Sequence, residues 1–295
     1  MKVLAIDGGG IRGLIPALVL AEIEARTERR IASLVDLIAG TSTGGVIACA
    51  LARPDPLSAV EIAALYEQEG PEIFDRSLLK QIASLGGLTD ERYSSAGLVR
   101  VLERHLGGVP MTAATVPLLL TAYDTERRRI HFLRSEGEGS GASMVDAAHA
   151  TSAAPTYFEP VRVGGATLID GGVYALNPAL CAYAEQGARV DLLLSLGTGE
   201  HTRPLRYDDV KDWGQVEWAR PVIDVVFDGG QDAVDLQLGI LLADRYVRLQ
   251  TRLDEASDDL DDASDENLAA LRREAERLIA ANDAAIDDVC ARLTA

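Results

Sequence analysis

A serine flanked by glycines is the first feature of this 295-residue sequence that suggests chemistry. Residues 40–44, Gly-Thr-Ser-Thr-Gly, match the pattern Gly-x-Ser-x-Gly and lie between an apolar run and a stretch with helical spacing. Glycines two residues away on either side let the chain turn sharply, so that the hydroxyl projects from the end of a strand. Ser42 is the predicted nucleophile. The alternative is a small-residue turn in which Ser42 only caps a helix.

A glycine cluster, Asp-Gly-Gly-Gly-Ile-Arg-Gly at residues 7–13, follows the first apolar run of the chain. Successive glycines can present their backbone N–H groups toward one point, and a helix that starts just after them adds a positive dipole. In acyl transfer such donors stabilise the oxyanion of the tetrahedral intermediate. The loop is therefore a candidate cradle for an oxyanion or a phosphate, to which Arg12 would add a permanent positive charge.

The same cluster also matches the dinucleotide-binding pattern Gly-x-Gly-x-x-Gly through Gly8, Gly10 and Gly13. An oxidoreductase with a nucleotide cofactor is therefore the main rival hypothesis. Its acidic ribose ligand would be Asp36, but Asp36 precedes the apolar residues of the next strand, whereas this ligand belongs at a strand's carboxyl end. This hypothesis also leaves Ser42 without a role.

An aspartate before two glycines is the third feature, since Asp170-Gly171-Gly172 follows an apolar pair. Asp170 is the candidate general base, and its alternative is a turn aspartate bonded to its own backbone. His201 follows a later glycine turn, and Ser42, Asp170 and His201 have the Ser, Asp, His order of α/β hydrolases. A catalytic triad is therefore a second alternative.

Composition narrows the classes of partner. The 28 Lys and Arg residues against 46 Asp and Glu residues give a formal net charge of −18, which disfavours nucleic acid and anionic membranes as electrostatic partners. The N-terminal apolar run is too short for a secretory signal, and the longest uncharged stretch, residues 106–123, is too polar to span a membrane. Three widely spaced cysteines are typical of free thiols. We expect a cytoplasmic protein without a transmembrane segment.

Two successive units of apolar run, glycine turn and helical pattern occupy the first fifth of the chain and predict a parallel sheet covered by helices. Ser58 and Glu61 form a capping box that predicts another helix start. We treat residues 1–295 as one domain, with a catalytic core at 1–205 and a helical part at 206–295. The leucine-rich region 78–88, Trp213 and Trp218 are candidates for an acyl groove or a lipid contact, although simple packing is the more frequent role.

The glycine-rich loop, the Gly-x-Ser-x-Gly turn and the later Asp-Gly-Gly together resemble the patatin-like phospholipase family. Further stretches extend the resemblance over nearly the whole chain, and the last two resemble plant patatins in particular: residues 150–158, 177–178, 195–199 and 261–266. The resemblance implies a three-layer α/β fold with a mostly parallel central sheet flanked by helices and a C-terminal helical extension.

The resemblance also implies a Ser42–Asp170 dyad, with Gly8, Gly9, Gly10 and Arg12 around the oxyanion, and leaves the four histidines without a catalytic role. The expected activity is that of a serine ester hydrolase of the phospholipase A or lysophospholipase type, which cleaves acyl esters of (lyso)phospholipids or related glycerolipids. The expected partner is a lipid at a membrane or micelle interface, with no cofactor and no metal. A storage or binding protein on the same scaffold is a further hypothesis, disfavoured by the intact Ser42 and Asp170.

Overall fold

The computed structural model describes residues 1–74, 94–137, 141–200, 202–218 and 221–295. The strands are β1 Lys2–Ile6, β2 Leu37–Gly40, β3 Leu118–Asp124, β4 Arg129–Arg134, β5 Val161–Val163, β6 Ala166–Asp170, β7 Leu192–Leu196 and β8 Tyr246–Leu249. The helices are α1 Leu14–Thr27, α2 Thr43–Ala52, α3 Ala59–Ile73, α4 Ala96–Leu106, α5 Met144–Thr151, α6 Gly172–Ala175, α7 Ala179–Gln186, α8 Tyr207–Val210, α9 Gln215–Trp218, α10 Pro221–Leu242, α11 Asp265–Ala281 and α12 Asp283–Thr294.

These strands form one central sheet in the order β5-β6-β3-β2-β1-β7-β8, with β4 paired to β3. The five strands from β3 to β8 in this order run parallel, and β4, β5 and β6 add antiparallel pairs. The carboxyl ends of β1 and β2 lie side by side, because Ile6 is in register with Gly40. The glycine cluster and Ser42, which follow these two strands, therefore meet at one edge of the sheet.

Alternating side chains of β1 divide the interior into two cores. Leu4 and Ile6 belong to the larger core, which the sheet shares with α1 to α5, α11 and α12. Val3 and Ala5 belong to a smaller core on the other face, beneath α7 and α10. Both faces of the parallel strands are thus covered, which gives the predicted three layers and explains why these strands are almost wholly apolar.

Several elements confirm the sequence-based predictions. The first two strands and helices are those predicted, and Ser58 and Glu61 form a capping box at the start of α3. The C-terminal part is mostly helical, but it also contributes β8, a strand that was not predicted. The leucine-rich region 78–88 and His201 lie outside the described residues, so their proposed roles stay predictions, as does the division of the chain near residue 205.

Candidate active site

Ser42 lies on the sharp turn between β2 and α2. Its backbone has φ 54° and ψ −124°, a conformation that non-glycine residues rarely adopt and that costs on the order of 1–3 kcal/mol. The two flanking glycines make this turn possible: a Cβ at Gly40 would collide with the carbonyl oxygen of Gly44, and one at Gly44 would collide with that of Ile6. The Gly-x-Ser-x-Gly pattern is therefore a packing requirement of this strand-to-helix turn.

Hydrogen bonds that involve three threonines hold the turn in place. The backbone N–H of Ser42 donates to Thr151 Oγ1 at 3.0 Å, and the Thr151 hydroxyl donates to the carbonyl of Thr121 at 2.6 Å. Thr41 Oγ1 lies 2.7 Å from Thr121 Oγ1 and donates to the carbonyl of Ala175 at 2.6 Å. The strained serine is thus tied to β3 and α5, and to α6, the helix that follows Asp170.

Asp170 is the last residue of β6, and its carboxylate faces Ser42. Burial raises its pKa to about 6, while hydrogen bonds from the Ser42 side chain and the Gly172 N–H lower it. The Gly172 bond, to Asp170 Oδ1, measures 2.7 Å. Asp170 therefore makes the backbone bond of an ordinary turn aspartate and, in addition, contacts the candidate nucleophile. A carboxylate with a raised pKa is a stronger base than one in water.

The glycine cluster approaches Ser42 from the neighbouring strand. Gly9 and Gly10 line the same cavity as Ser42 and Asp170. The N–H of Gly8 instead donates to the carbonyl of Leu176 at 3.0 Å, so in this structure it serves the loop and not the cavity. Of the three predicted oxyanion donors, the structure brings Gly9 and Gly10 to the candidate nucleophile.

Arg12 lies beneath the loop. Its side chain is buried and its Nε donates to the carbonyl of Gly9 at 3.4 Å, while Nη1 is buried with no hydrogen-bond partner among the described residues. Burial lowers its pKa, and Asp228, Asp258 and Asp224 oppose that effect. The sequence predicted that Arg12 would lie at the oxyanion. In the structure Arg12 does not line the cavity and instead contacts the carbonyl of Gly9.

An apolar cavity of about 1070 Å³, including its open part, extends from Ser42 and Asp170. Its walls are mainly aliphatic and aromatic side chains of α2, α3 and α4, with Phe227 of α10 and Leu260 added from the C-terminal part. Ala50, Ile62 and Leu106 are buried. Such walls suit a hydrocarbon chain, because burying each methylene is favourable by about 0.8 kcal/mol.

His105 lines the cavity, although the sequence predicted no role for it. Its Nε2 lies 2.8 Å from Oε1 of Glu69. Trp213 and Trp218 pack against each other edge to face, with ring centroids 5.1 Å apart, and neither lines the cavity. Their predicted part in the acyl groove is therefore not supported by their placement.

Asp36, the acid required by the dinucleotide hypothesis, lies at the amino end of the parallel strands. Its carboxylate accepts a hydrogen bond from the Lys2 N–H at 2.7 Å, at the opposite end of β1 from the glycine cluster. It is therefore too far from the loop to serve as the ribose ligand of that hypothesis.

Within the described part of the chain, no three His, Cys, Asp or Glu residues are grouped so as to hold a metal ion. Over the same residues, no helix is long and apolar enough to span a membrane. Ser42 and the buried Asp170 carboxylate line one cavity together with Gly9 and Gly10. A serine beside a carboxylate base and near backbone donors is the combination that nucleophilic ester hydrolysis requires.

Comparison with known proteins assigns the family. Residues 4–183 match the family model of patatin-like phospholipases. The chain is 30% identical to Patatin-like protein 2 of Oryza sativa subsp. indica, over 97% of this chain and 85% of that protein. It is also 30% identical to Patatin-04/09 of Solanum tuberosum, over 95% of this chain and 83% of that protein. The chain belongs to the patatin-like phospholipase family, a family of lipid ester hydrolases.

The fold is also similar to that of a solved structure. The crystal structure of VipD from Legionella pneumophila superposes with a TM-score of 0.50 at 10% sequence identity, over 95% of this chain and 67% of that chain. At this low identity the similarity concerns the fold alone.

Residues outside the local motifs also build the site, and sequence reasoning missed them. The Thr198 hydroxyl donates to the carbonyl of Gly8 at 2.7 Å, and the Ile11 N–H donates to the carbonyl of Leu260 at 2.9 Å. Thr198 belongs to a stretch that resembles the family, but its partner is 190 residues away. Leu260 lies in an acidic stretch of the kind that is usually exposed to solvent. A single sequence therefore gives no indication that its carbonyl contacts the glycine cluster.

Proposed function

We propose that this protein hydrolyses fatty acyl esters of phospholipids, lysophospholipids or related glycerolipids through a Ser42–Asp170 dyad. The observation that carries the proposal is the buried Asp170 carboxylate, hydrogen-bonded to Ser42, in the lining of an apolar cavity. Family membership supports lipid acyl hydrolysis in general. The dyad and the class of lipid are our proposals.

In the first half-reaction, Asp170 accepts the hydroxyl proton as Ser42 Oγ attacks the ester carbonyl. The alcohol part of the lipid leaves with a proton from Asp170, and an acyl-enzyme remains on Ser42. In the second half-reaction, Asp170 removes a proton from water, which attacks the acyl carbonyl. The fatty acid then leaves and Ser42 recovers its proton. Asp170 holds the proton within each half-reaction, and its raised pKa of about 6 makes its protonated form easier to reach than that of an aspartate in water.

Both tetrahedral intermediates place a negative charge on the former carbonyl oxygen. The amides of Gly9 and Gly10 are the proposed donors, since both residues line the cavity beside Ser42. Each such donor is worth about 2.7–4 kcal/mol of barrier lowering when it is held in place beforehand. The N-terminus of α2, which starts at Thr43, adds positive potential at the same point.

The apolar lining of the cavity supports an acyl chain as the bound part of the substrate, and a lipid of a membrane or micelle is the proposed source of that chain. The three cysteines are free thiols, which supports a cytoplasmic location as a further proposal.

The proposal is tested with a fluorophosphonate and a matched pair of serine variants. Ser152 also lines the cavity, and its hydroxyl is buried with no partner among the described residues, so Ser152→Ala is the control for Ser42→Ala. We expect the probe to label wild type and Ser152→Ala once, at Ser42, and to leave Ser42→Ala unlabelled. Turnover of a short-chain chromogenic ester and of phospholipid vesicles should follow the same pattern. Labelling at another serine, or turnover by folded Ser42→Ala, would refute the proposal.

A further inference from the structure

An arginine of the C-terminal part reaches the glycine cluster. Arg248 is on β8, where it is in register with Ser195 of β7, and Ser195 is in register with Ala5 of β1. Its side chain, 12% exposed, extends across β7 to the carboxyl end of β1. There its Nη2 donates to Oδ2 of Asp7 at 2.6 Å.

Asp7 is the first residue of the glycine cluster and its carboxylate is completely buried. Burial raises its pKa to about 6, and the attraction of Arg248 and the hydrogen bond from it lower the pKa. Its other oxygen, Oδ1, has no hydrogen-bond partner among the described residues. The ion pair with Arg248 is thus the main compensation for a buried charge two residues before Gly9.

The Arg248 guanidinium also makes hydrogen bonds with two further side chains. Its Nη1 donates to Ser195 Oγ at 2.9 Å, and its Nη2 also lies 3.2 Å from Oε1 of Gln231 on α10. A guanidinium suits this position because its planar donors can serve several acceptors at once. The arginine therefore links β7, α10 and the glycine cluster through its side-chain hydrogen bonds.

We propose that Arg248 is a positioning residue that, through Asp7, holds the Gly9 and Gly10 amides at the oxyanion. The inference rests on the proposed function and adds to it a residue outside the segment that matches the family model, residues 4–183. Arg248 does not line the cavity that contains Ser42 and Asp170. A loop displaced by about 1 Å would still bind an acyl chain but would lose about 10²-fold in the chemical step.

The test compares Arg248→Met and Arg248→Lys with Arg252→Met. Arg252 follows the same strand but is 70% exposed, so its loss removes an arginine without reaching the loop. We expect Arg248→Met to lower kcat at least about tenfold on a short-chain ester with KM nearly unchanged. Arg248→Lys should recover part of kcat because it keeps the charge, and Arg252→Met should match wild type.

Hydrogen–deuterium exchange gives a readout that does not need turnover. Amides of residues 8–12 should exchange at least about tenfold faster in Arg248→Met than in wild type, and at the wild-type rate in Arg252→Met. If Arg248→Met does not fold, Asp7→Asn/Arg248→Met removes the unpaired carboxylate and takes its place, with the same faster exchange expected. Wild-type exchange and kcat in the folded variants would overturn the proposal. Wild type without esterase activity would instead refute the proposed function, while the exchange data would still test the role of Arg248.

Discussion

The two parts of the chain on either side of residue 183 contribute to the site in different ways. Residues 4–183, which match the family model, contain Ser42, Asp170, Gly9 and Gly10. Residues after 183 contain none of the proposed reacting groups. They instead supply Thr198, Arg248 and Leu260, each of which binds the glycine cluster through a hydrogen bond.

The two parts therefore have different roles in the proposed site. In the proposed dyad, the first part supplies the reacting groups and places them under strain and burial, as in the φ of 54° at Ser42 and the raised pKa of Asp170. The second part provides hydrogen bonds to the glycine cluster, and in the proposed mechanism its residues neither donate nor accept the transferred proton. Changes in the first part should therefore have large effects on rate, and changes in the second part should have graded effects.

Asp170→Asn should have the largest effect on turnover. It keeps the shape of the side chain and an acceptor for the Gly172 N–H but removes the proton acceptor, so turnover should fall by ~10²–10⁴-fold. The check is kcat on a chromogenic ester, with Asp146→Asn, an exposed aspartate of α5, as the control for the change of charge. A folded Asp170→Asn with near-wild-type turnover would contradict the dyad.

The same variant should be at least as stable as wild type. A carboxyl whose folded-state pKa is raised to about 6 from 3.8 stabilises the fold at low pH, and this contribution is lost as the pH rises through about 6. At pH 8 wild type therefore carries a cost on the order of 3 kcal/mol that asparagine avoids. Urea unfolding at pH 8 checks the prediction, and a clearly less stable variant would show that other contacts dominate.

The pH profile of wild type follows from the same carboxyl. Asp170 must be ionised to accept a proton, so kcat/KM should rise with pH and level off above about 6. Asp7, with a pKa also near 6, affects the same limb. Because an ordinary histidine titrates near 6.5, the position of the limb alone does not separate a dyad from a triad. A rise of kcat/KM that is complete below pH 5 would contradict the raised pKa of Asp170.

Thr198→Val should have a moderate effect. It removes the hydroxyl that donates to the carbonyl of Gly8, a bond worth about 0.5–1.5 kcal/mol, so kcat should fall by about 2–13-fold. Thr202→Val is the matched control, since Thr202 donates to the carbonyl of Leu253, away from the glycine cluster. Equal losses in both variants would mean that the effect is one of general stability.

The proposed site residues of the first part could be predicted from the sequence, whereas the contacts that the second part makes could not. Ser42, Asp170 and the two glycines lie in short motifs whose spacing reflects local backbone geometry, so one sequence suffices to propose them as site residues. The pairing of Asp7 with Arg248 joins residues 241 positions apart and leaves no local pattern. The strand β8 was missed for a related reason: it has four residues, one of them arginine, next to Arg245.

Histidine variants should have small effects. His105 is the histidine that lines the described cavity, but its Nε2 is engaged with Glu69, and His201 lies outside the described residues. We expect His105→Leu and His201→Ala to stay within about threefold of wild type in kcat, because the dyad assigns neither a proton transfer. If folded His201→Ala were as inactive as Ser42→Ala, the site would be a triad and the last part of the chain would supply a reacting group.

Removal of metal ions should have the smallest effect. The oxyanion charge is assigned to the Gly9 and Gly10 amides and the N-terminus of α2, so turnover in EDTA should stay within about twofold of the untreated enzyme. The acidic stretch of the C-terminal part is the place where a cation would otherwise be sought, but Asp258 pairs with Arg203 and Glu255 pairs with Arg273 and Arg277. Activity lost in EDTA and restored by calcium would mean that the C-terminal part contributes charge to the transition state, and its role would then exceed that of holding the loop.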